Sequence, residues 1–277
     1  MGMLKTVAQA WKVPEIRSKM IFTLLMLVVF RIGSNIPVPN INRSVLAEMF
    51  TGETGLFDLF DLFSGGSFSN FTIFALSITP YITASIIMQL LTIAIPKLDE
   101  LQKDGEEGRK KIAEITRYLT VALALIESTA MIIGFANQGI FNTDSISYGS
   151  MSSLRKWGVV LTGIIAMTAG SAVLMWIGEQ ITEKGVGNGI SIILLYNIVS
   201  RLPNDMANLY EKFIKGATTV TNGLLGAVII LAVLLGMVVF IIILSDGERR
   251  ISVQYSKKTQ GRKLVGGQSS HIPLKVN

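Results

Sequence analysis

Long apolar runs separated by short charged stretches dominate this sequence. A transmembrane helix needs roughly 20 mostly apolar residues. Six runs qualify, at residues 19–37, 71–95, 118–136, 157–178, 188–203 and 222–244. The pattern therefore predicts an all-α membrane protein, a polytopic helix bundle with six transmembrane helices.

A tight charged turn joins the fourth and fifth runs. Residues 176–193 read WIGEQITEKGVGNGISII, and the hairpin from Glu179 to Gly189 within them contains three glycines. The connection is so short that the two spans must be antiparallel neighbours. A simple membrane anchor would not need such a patterned turn.

A short amphipathic segment lies between the first two runs, at residues 56–66. Phe57, Phe60 and Phe63 recur every three residues, and Gly65 and Gly66 end the segment. It is too short to span a membrane and too apolar to lie free in water. Periodicity leaves two alternatives open: a helix on the membrane surface, or a re-entrant helix buried within the bundle.

A proline and an acidic residue interrupt two of the predicted spans. Pro80 lies within the second, where it either kinks the helix or marks its broken start. Ile78, Ile82 and Ile86 fall on one face of that span. Glu127 lies deep in the third span, so we expect it to face the bundle interior or to remain protonated, either in a functional role or in a hydrogen bond between helices.

Composition removes most enzyme classes. The chain is 50% apolar and 16% charged, and it contains no cysteine and one histidine, His271. It therefore has no disulfide, no cysteine nucleophile and no histidine-pair zinc motif. We predict that it is not an enzyme and that it has neither a cofactor nor a metal site.

The distribution of Lys and Arg predicts the orientation of the spans. With the N-terminus inside, 18 of the 25 cations lie inside and six lie outside, with Arg31 near the outer end of the first span. The sequence therefore predicts a multi-pass protein whose N-terminus and residues 245–277 are cytoplasmic. The net charge of +6 is explained by this bias without a nucleic acid.

Two long motifs resemble those of the SecY family, the large subunits of bacterial protein-conducting channels. They are SITPYITASII at residues 77–87 and the block at residues 176–193. Shorter matches occur at residues 36–39, 63–66, 105–111, 249–251 and 271–277. The similarity runs along the whole chain.

The resemblance implies a role for several residues. The segment 56–66, with Phe57, Phe60, Phe63, Ser64, Gly65 and Gly66, is similar to the plug that closes the channel from outside. An apolar pore ring is implied at Ile78, Ile82, Ile190 and Leu194. Branched aliphatic side chains at a narrow point exclude water and ions and still yield to a passing peptide.

The resemblance also implies a lateral gate, through which signal sequences and membrane helices leave the channel, with polar contacts at Thr83 and Glu127. Docking of a ribosome or of the SecA motor is implied for basic residues of the C-terminal tail. These are Arg249, Arg250, Lys257, Lys258, Arg262 and Lys263. Contacts between such cations and ribosomal phosphates would be sensitive to salt.

Family members have ten spans in two pseudo-symmetric halves, so we expect this chain to be an incomplete, N-terminal portion. Residues 1–203 would form the first half of the channel, and residues 204–277 the sixth span and a basic cytoplasmic loop. The expected activity is passive passage of unfolded secretory polypeptides across, and of membrane helices into, the bacterial cytoplasmic membrane. Expected partners are SecE-like and SecG-like subunits, SecA or a ribosome, signal sequences and nascent chains, the lipid bilayer and the missing C-terminal half.

The alternative hypothesis is a secondary transporter of small solutes. Pro80 and Glu127 favour it, because broken helices with polar groups at membrane depth are frequent in transporters. Such a transporter needs an ion or substrate site near the middle of the membrane. The candidate positions there are isoleucines, which favours the channel.

Overall fold

The structure is a computed structural model that describes residues 10–42, 56–136, 140–141, 151–211, 220–253, 258–260, 263–265 and 270–275. Its helices are α1 (Pro14–Gly33), α2 (Leu56–Ser64), α3 (Thr79–Ala94), α4 (Pro96–Lys103), α5 (Glu106–Ala136), α6 (Ser153–Lys184), α7 (Gly189–Tyr210) and α8 (Val220–Ser245). The strands are β1 (Glu248–Val253), β2 (Lys258–Gln260), β3 (Lys263–Val265) and β4 (Ser270–Lys275). The prediction of a helical membrane protein is confirmed, whereas the periodicity gave no sign of these strands.

Among the residues that the structure describes, three helical segments are long and apolar enough to cross a membrane: α5, α6 and Leu225–Ser245 of α8. Helices α3 and α4 make a fourth if the pair counts as one span, and they meet at a bend of 102°. Helix α1 does not qualify as a membrane span by composition, because it carries four charged residues, Glu15, Arg17, Lys19 and Arg31. The total of six spans stays a prediction.

The predicted second span, 71–95, is wrong at its start. Residues 71–78 form turns and a β-bridge from Thr72 to Pro37, and Phe71 and Ser77 have φ values of 45° and 53°. The N–H of Val38 donates to the Phe71 carbonyl oxygen at 3.0 Å, which ties this segment to the chain after α1. Pro80 lies in the first turn of α3, where its missing N–H is not needed. Proline therefore marks the start of the helix and does not kink it.

The hairpin between the fourth and fifth spans is shorter than predicted. Glu179 and Lys184 belong to the last turns of α6, so only residues 185–188 form the turn. Helix α7 continues past the predicted end at residue 203 and accommodates Pro203 in its interior.

The chain divides into two compact units, Met1–Leu202 and Pro203–Asn277. Two apolar clusters form the core of the first unit. One joins α5 and α6 to the segment before α3 and includes Phe68, Phe71, Ile132, Phe135, Ile164 and Met167. The other joins α1, α6 and α7 and includes Phe30, Phe74, Ile78, Leu174, Ile177, Ile181 and Ile193.

The second unit contains α8 and the four strands. The membrane-length window of α8, Leu225–Ser245, is strongly apolar and has no buried residue. Strand β1 pairs antiparallel with β4, and β2 pairs antiparallel with β3. The basic tail thus contains two antiparallel strand pairs.

Candidate functional site

Each glycine at the turn between α6 and α7 occupies a position where a side chain would not fit, and the reason differs from one glycine to the next. A Cβ atom on Gly185 would lie 2.5 Å from the Thr23 hydroxyl, and one on Gly189 would lie 2.0 Å from the Gly178 carbonyl oxygen. Gly187 has a φ of 69°, which side chains rarely allow. The turn is therefore packed directly against α1 and against the end of α6.

Side-chain hydrogen bonds fix this turn. The N–H of Val186 donates to the Thr23 hydroxyl at 3.1 Å, and the N–H of Gly189 donates to the Thr182 hydroxyl at 2.9 Å. Asn188 is the N-cap of α7, because its side-chain oxygen accepts the N–H of Ser191 at 3.2 Å. These contacts set the position from which α7 starts.

Three of the four predicted ring residues lie in one apolar cluster. Ile78 is 1% exposed, and Ile82 and Ile190 pack against the same cluster as partly buried side chains. Leu194 is half-buried and follows Ile190 by one helical turn. The structure thus brings residues from the start of α3 and the start of α7 together.

A cavity of about 480 Å³ opens beside this cluster. Ile82 and Ile190 lie on its wall, together with polar side chains that include Arg117 and Glu179. The Arg117 Nε donates to a Glu179 carboxylate oxygen at 2.7 Å and links α5 to α6. The cavity is polar at this end of the bundle and reaches isoleucine side chains.

The short helix α2 buries its polar face. Asp61 and Ser64 are almost fully buried, whereas Phe60 and Phe63 are 53% and 46% exposed. Gly65 and Gly66 then have φ values of 64° and 88° and end the helix. The backbone of Phe57 belongs to α2, and its side chain lies outside the described part of the structure.

Polar side chains from other segments contact α2 and the turn after it. Arg201 forms an ion pair with Asp61. Asn197 Nδ2 and the Ser77 hydroxyl donate to the Phe63 carbonyl oxygen at 2.8 Å and 3.1 Å. The sequence interpretation missed Asp61, Asn197 and Arg201. Asn197 and Arg201 could have been found, because they are spaced by four residues at the end of a mostly apolar run.

Glu127 lies on the wall of a second cavity, of about 630 Å³, which is mostly apolar. Thr79 and Phe60 line the same cavity. Within the described residues the Glu127 carboxylate has no hydrogen bond or ion pair. Thr83 lies one turn after Thr79, and its hydroxyl donates to the Thr79 carbonyl oxygen at 3.0 Å. The two predicted gate residues are thus on neighbouring helices without direct polar contact.

The predicted docking residues fall in the strand pairs of the second unit. Arg249 and Arg250 are exposed and lie opposite Leu274 and Pro273 of β4. Neighbouring residues of a strand point to opposite faces, so these two arginines differ in direction. Lys258 and Lys263 lie in β2 and β3, while Lys257 and Arg262 lie outside the described residues.

Among the residues that the structure describes, no group of three or more His, Cys, Asp or Glu side chains could hold a metal ion. The cavities described above are lined by hydrocarbon, hydroxyl, amide and charged groups.

Comparison with known proteins identifies the family. The family model described as SecY matches residues 72–277. The chain is 45% identical to the protein translocase subunit SecY of Halalkalibacterium halodurans over 283 residues, and 44% identical to that of Bacillus subtilis over 277 residues. Each match covers 99% of this chain and 62% of the relative, so the chain spans less than two thirds of the length of these proteins.

A solved structure shares the fold. It is described as showing that the plug domain of the SecY protein stabilises the closed state of the translocation channel, and it aligns with a TM-score of 0.51 and 18% identity. The alignment covers 99% of this chain and 57% of that one. Together with the family match and the two bacterial relatives, these findings show that the chain belongs to the SecY family.

Proposed function

We propose that this chain supplies the N-terminal part of a protein-conducting pore in the bacterial cytoplasmic membrane. The observation that carries the proposal is the meeting of Ile78, Ile82 and Ile190 in one cluster beside a polar cavity. Branched aliphatic side chains at a constriction exclude water, and they part when a peptide enters. Leu194, one turn further along α7, would extend the same surface.

The proposed path runs from the polar cavity, past Ile82 and Ile190, towards α2. In this proposal α2 is the plug, with Phe60, Phe63, Ser64, Gly65 and Gly66 at the closed end, and Phe57 belongs to the same helix. The seat of α2 among Asp61, Arg201 and Asn197 supports this assignment. A plug must be held when the channel rests and must leave when a polypeptide passes.

We assign Thr83 and Glu127 to a lateral gate. Their helices, α3 and α5, border the apolar cavity of about 630 Å³ that also contacts Phe60 of α2. An apolar cavity next to a plug suits a hydrophobic helix leaving the pore. The transporter alternative is disfavoured by membership of the SecY family.

The orientation follows from the charge distribution and gives a cytoplasmic N-terminus and tail. Ser152 would then be outside and Ser252 inside, and both are exposed. A membrane-impermeant thiol reagent added from outside should label Ser152→Cys in intact cells and label Ser252→Cys only after the membrane is opened. Labelling of Ser252→Cys in intact cells would show that the tail lies outside and would contradict the proposed orientation.

In this proposal the arginines Arg249 and Arg250, with Lys257, Lys258, Arg262 and Lys263, bind a ribosome or a SecA motor, and small SecE-like and SecG-like subunits complete the channel. The exposed position of Arg249 and Arg250 on β1 supports a docking role. Energy for transport would come from these partners, because a passive pore supplies none.

Cysteine crosslinking in a complete channel tests the pore assignment. Ile82→Cys and Ile190→Cys should crosslink to a polypeptide stalled during translocation. Ile165→Cys on α6, whose side chain is 63% exposed on the outside of the bundle, is the matched control. Crosslinks from position 165 with none from 82 and 190 would exclude the proposed pore.

A further inference from the structure

Helix α2 is held by polar contacts that converge on its last two turns and on Gly65. Arg201 and Asn197 come from α7, Ser77 precedes α3, and the Arg31 guanidinium of α1 donates to the Gly65 carbonyl oxygen at 3.4 Å. Three separate segments thus contact a helix of nine residues. Apolar packing alone would not require these groups.

The ion pair is largely buried. The Asp61 side chain is 5% exposed and the Arg201 side chain is 24% exposed. The second Asp61 oxygen accepts the Ser69 N–H at 2.8 Å and the Ser64 hydroxyl at 3.3 Å. Both carboxylate oxygens thus have partners while α2 occupies this seat. Removing Arg201 would leave the buried Asp61 charge without this counter-ion.

Asn197 adds a second contact on the same face of α7, since it precedes Arg201 by four residues. Its amide donates to the Phe63 carbonyl oxygen at 2.8 Å. A Cβ atom on Gly65 would lie 2.9 Å from the Asn197 side-chain oxygen, so the turn after α2 rests directly on Asn197. The amide and the guanidinium therefore contact successive turns at one end of α2.

We propose that Arg201 and Asn197 form a polar latch that sets how easily α2 leaves its closed position. The inference rests on the proposed function, because it assumes that α2 is the plug. Displacement of α2 breaks the Asp61–Arg201 pair and the bonds to Phe63 and Gly65 together. A translocating polypeptide has to offset the free energy lost with these contacts. The resting channel stays sealed because thermal motion rarely breaks all of them at once.

Conservative substitutions separate the ion pair from the local turn. Asp61→Asn keeps an oxygen that can accept the Ser69 N–H and removes the charge that pairs with Arg201. Arg201→Gln removes the cation, and Arg201→Lys keeps it. The matched control is Asp99→Asn, which makes the same chemical change in an exposed pair with Lys103 on α4.

The test is the resting ion conductance of a complete channel containing this chain, reconstituted in planar bilayers. Asp61→Asn and Arg201→Gln should each raise the conductance roughly tenfold or more, since each breaks the ion pair that joins α2 to α7. The double variant should conduct about as much as the worse single variant, because the two residues act as one unit. Arg201→Lys should lie nearer the unaltered channel, and Asp99→Asn should match it.

Unchanged conductance in both single variants would overturn the latch, as would independent effects that multiply in the double variant. A parallel measurement separates this result from the pore assignment. Crosslinking of Ile82→Cys to a stalled polypeptide, made in the same variants, reports whether the path itself is intact. Crosslinking without any change in conductance rejects the latch alone, whereas no crosslinking from the otherwise unaltered channel rejects the proposed function.

Discussion

A Cβ atom on Gly189 would lie 2.0 Å from the carbonyl oxygen of Gly178, so α6 and α7 meet backbone against backbone. This contact comes directly before Ile190, whose Cδ1 atom would lie 2.4 Å from a Cβ atom on Gly178. The crossing therefore determines where Ile190 enters the apolar cluster. A side chain at Gly189 would push the two helices apart, whereas one at Gly178 would displace the end of the Ile190 side chain.

Gly189→Ala should lower the thermal stability of the detergent-solubilised channel by about 1–3 kcal/mol, because the methyl group overlaps with backbone atoms that cannot move aside. Gly158→Ala on α6 is the control, since a methyl group added there would have no neighbouring atom within 4 Å. Alanine favours a helix over glycine, so Gly158→Ala should leave the melting temperature unchanged or raise it. Equal losses at both positions would contradict the close crossing.

The Thr23 hydroxyl contacts the glycine turn, and its removal should destabilise that turn. Thr23→Val should destabilise the channel by about 1–3 kcal/mol, because the N–H of Val186 loses its acceptor. Thr23→Ser keeps the hydroxyl and should recover most of the loss. Thermal denaturation of the three proteins tests this, and a valine variant as stable as the unaltered protein would contradict the importance of the hydrogen bond.

Local pattern predicted the apolar helices well and failed where distant residues determine the backbone. The bounds of α8 differ from the predicted 222–244 by two residues at the start and one at the end. The predicted start of the second span, residue 71, was wrong because Phe71 and Ser77 take left-handed conformations. These conformations depend on contacts with residues 36–38 and with α2. Hydrophobic periodicity contains no information about such contacts.

The candidate site was predictable to a different extent in its apolar and polar parts. Ile78, Ile82 and Ile190 belong to motifs that can be read from the sequence, and the structure places them together. Asp61 and Arg201 are separated by 140 residues, so no local spacing connects them. Their pairing follows from how α7 packs against α2.

Replacing the Glu127 carboxylate should stabilise the protein or leave its stability unchanged. Within the described residues this side chain has no polar partner, and it lines a mostly apolar cavity, so its charge is poorly compensated. Glu127→Gln removes the charge and keeps the shape. Thermal denaturation should show an equal or higher melting temperature. A loss of more than about 1 kcal/mol would indicate a cationic partner in the assembled channel.

The two arginines of β1 should contribute unequally to docking, because their side chains point to opposite faces of the strand. Arg249→Glu and Arg250→Glu, made separately in the complete channel, should both weaken binding of ribosomes or of the motor, one more than the other. Binding should also fall with added salt, as phosphate or carboxylate contacts do.

Lys275→Glu is the control for this experiment, since Lys275 lies on β4 opposite Glu248 and its replacement makes the same charge change in the same strand pair. It should affect binding less than either arginine variant. Identical binding of all variants throughout a salt titration would leave Arg249 and Arg250 as determinants of topology alone.

The central expectation of the proposed pore is that one face of α3 lines the path of a translocating polypeptide. Ile82, Ser85, Ile86 and Gln89 share that face and line the polar cavity, whereas Leu90 is 62% exposed on another face. The decisive measurement is a cysteine scan of residues 82–90 in a complete channel that holds a stalled polypeptide. We predict crosslinking maxima at 82, 85, 86 and 89 and a minimum at 90. A flat profile, or a maximum at 90, would contradict the proposed pore.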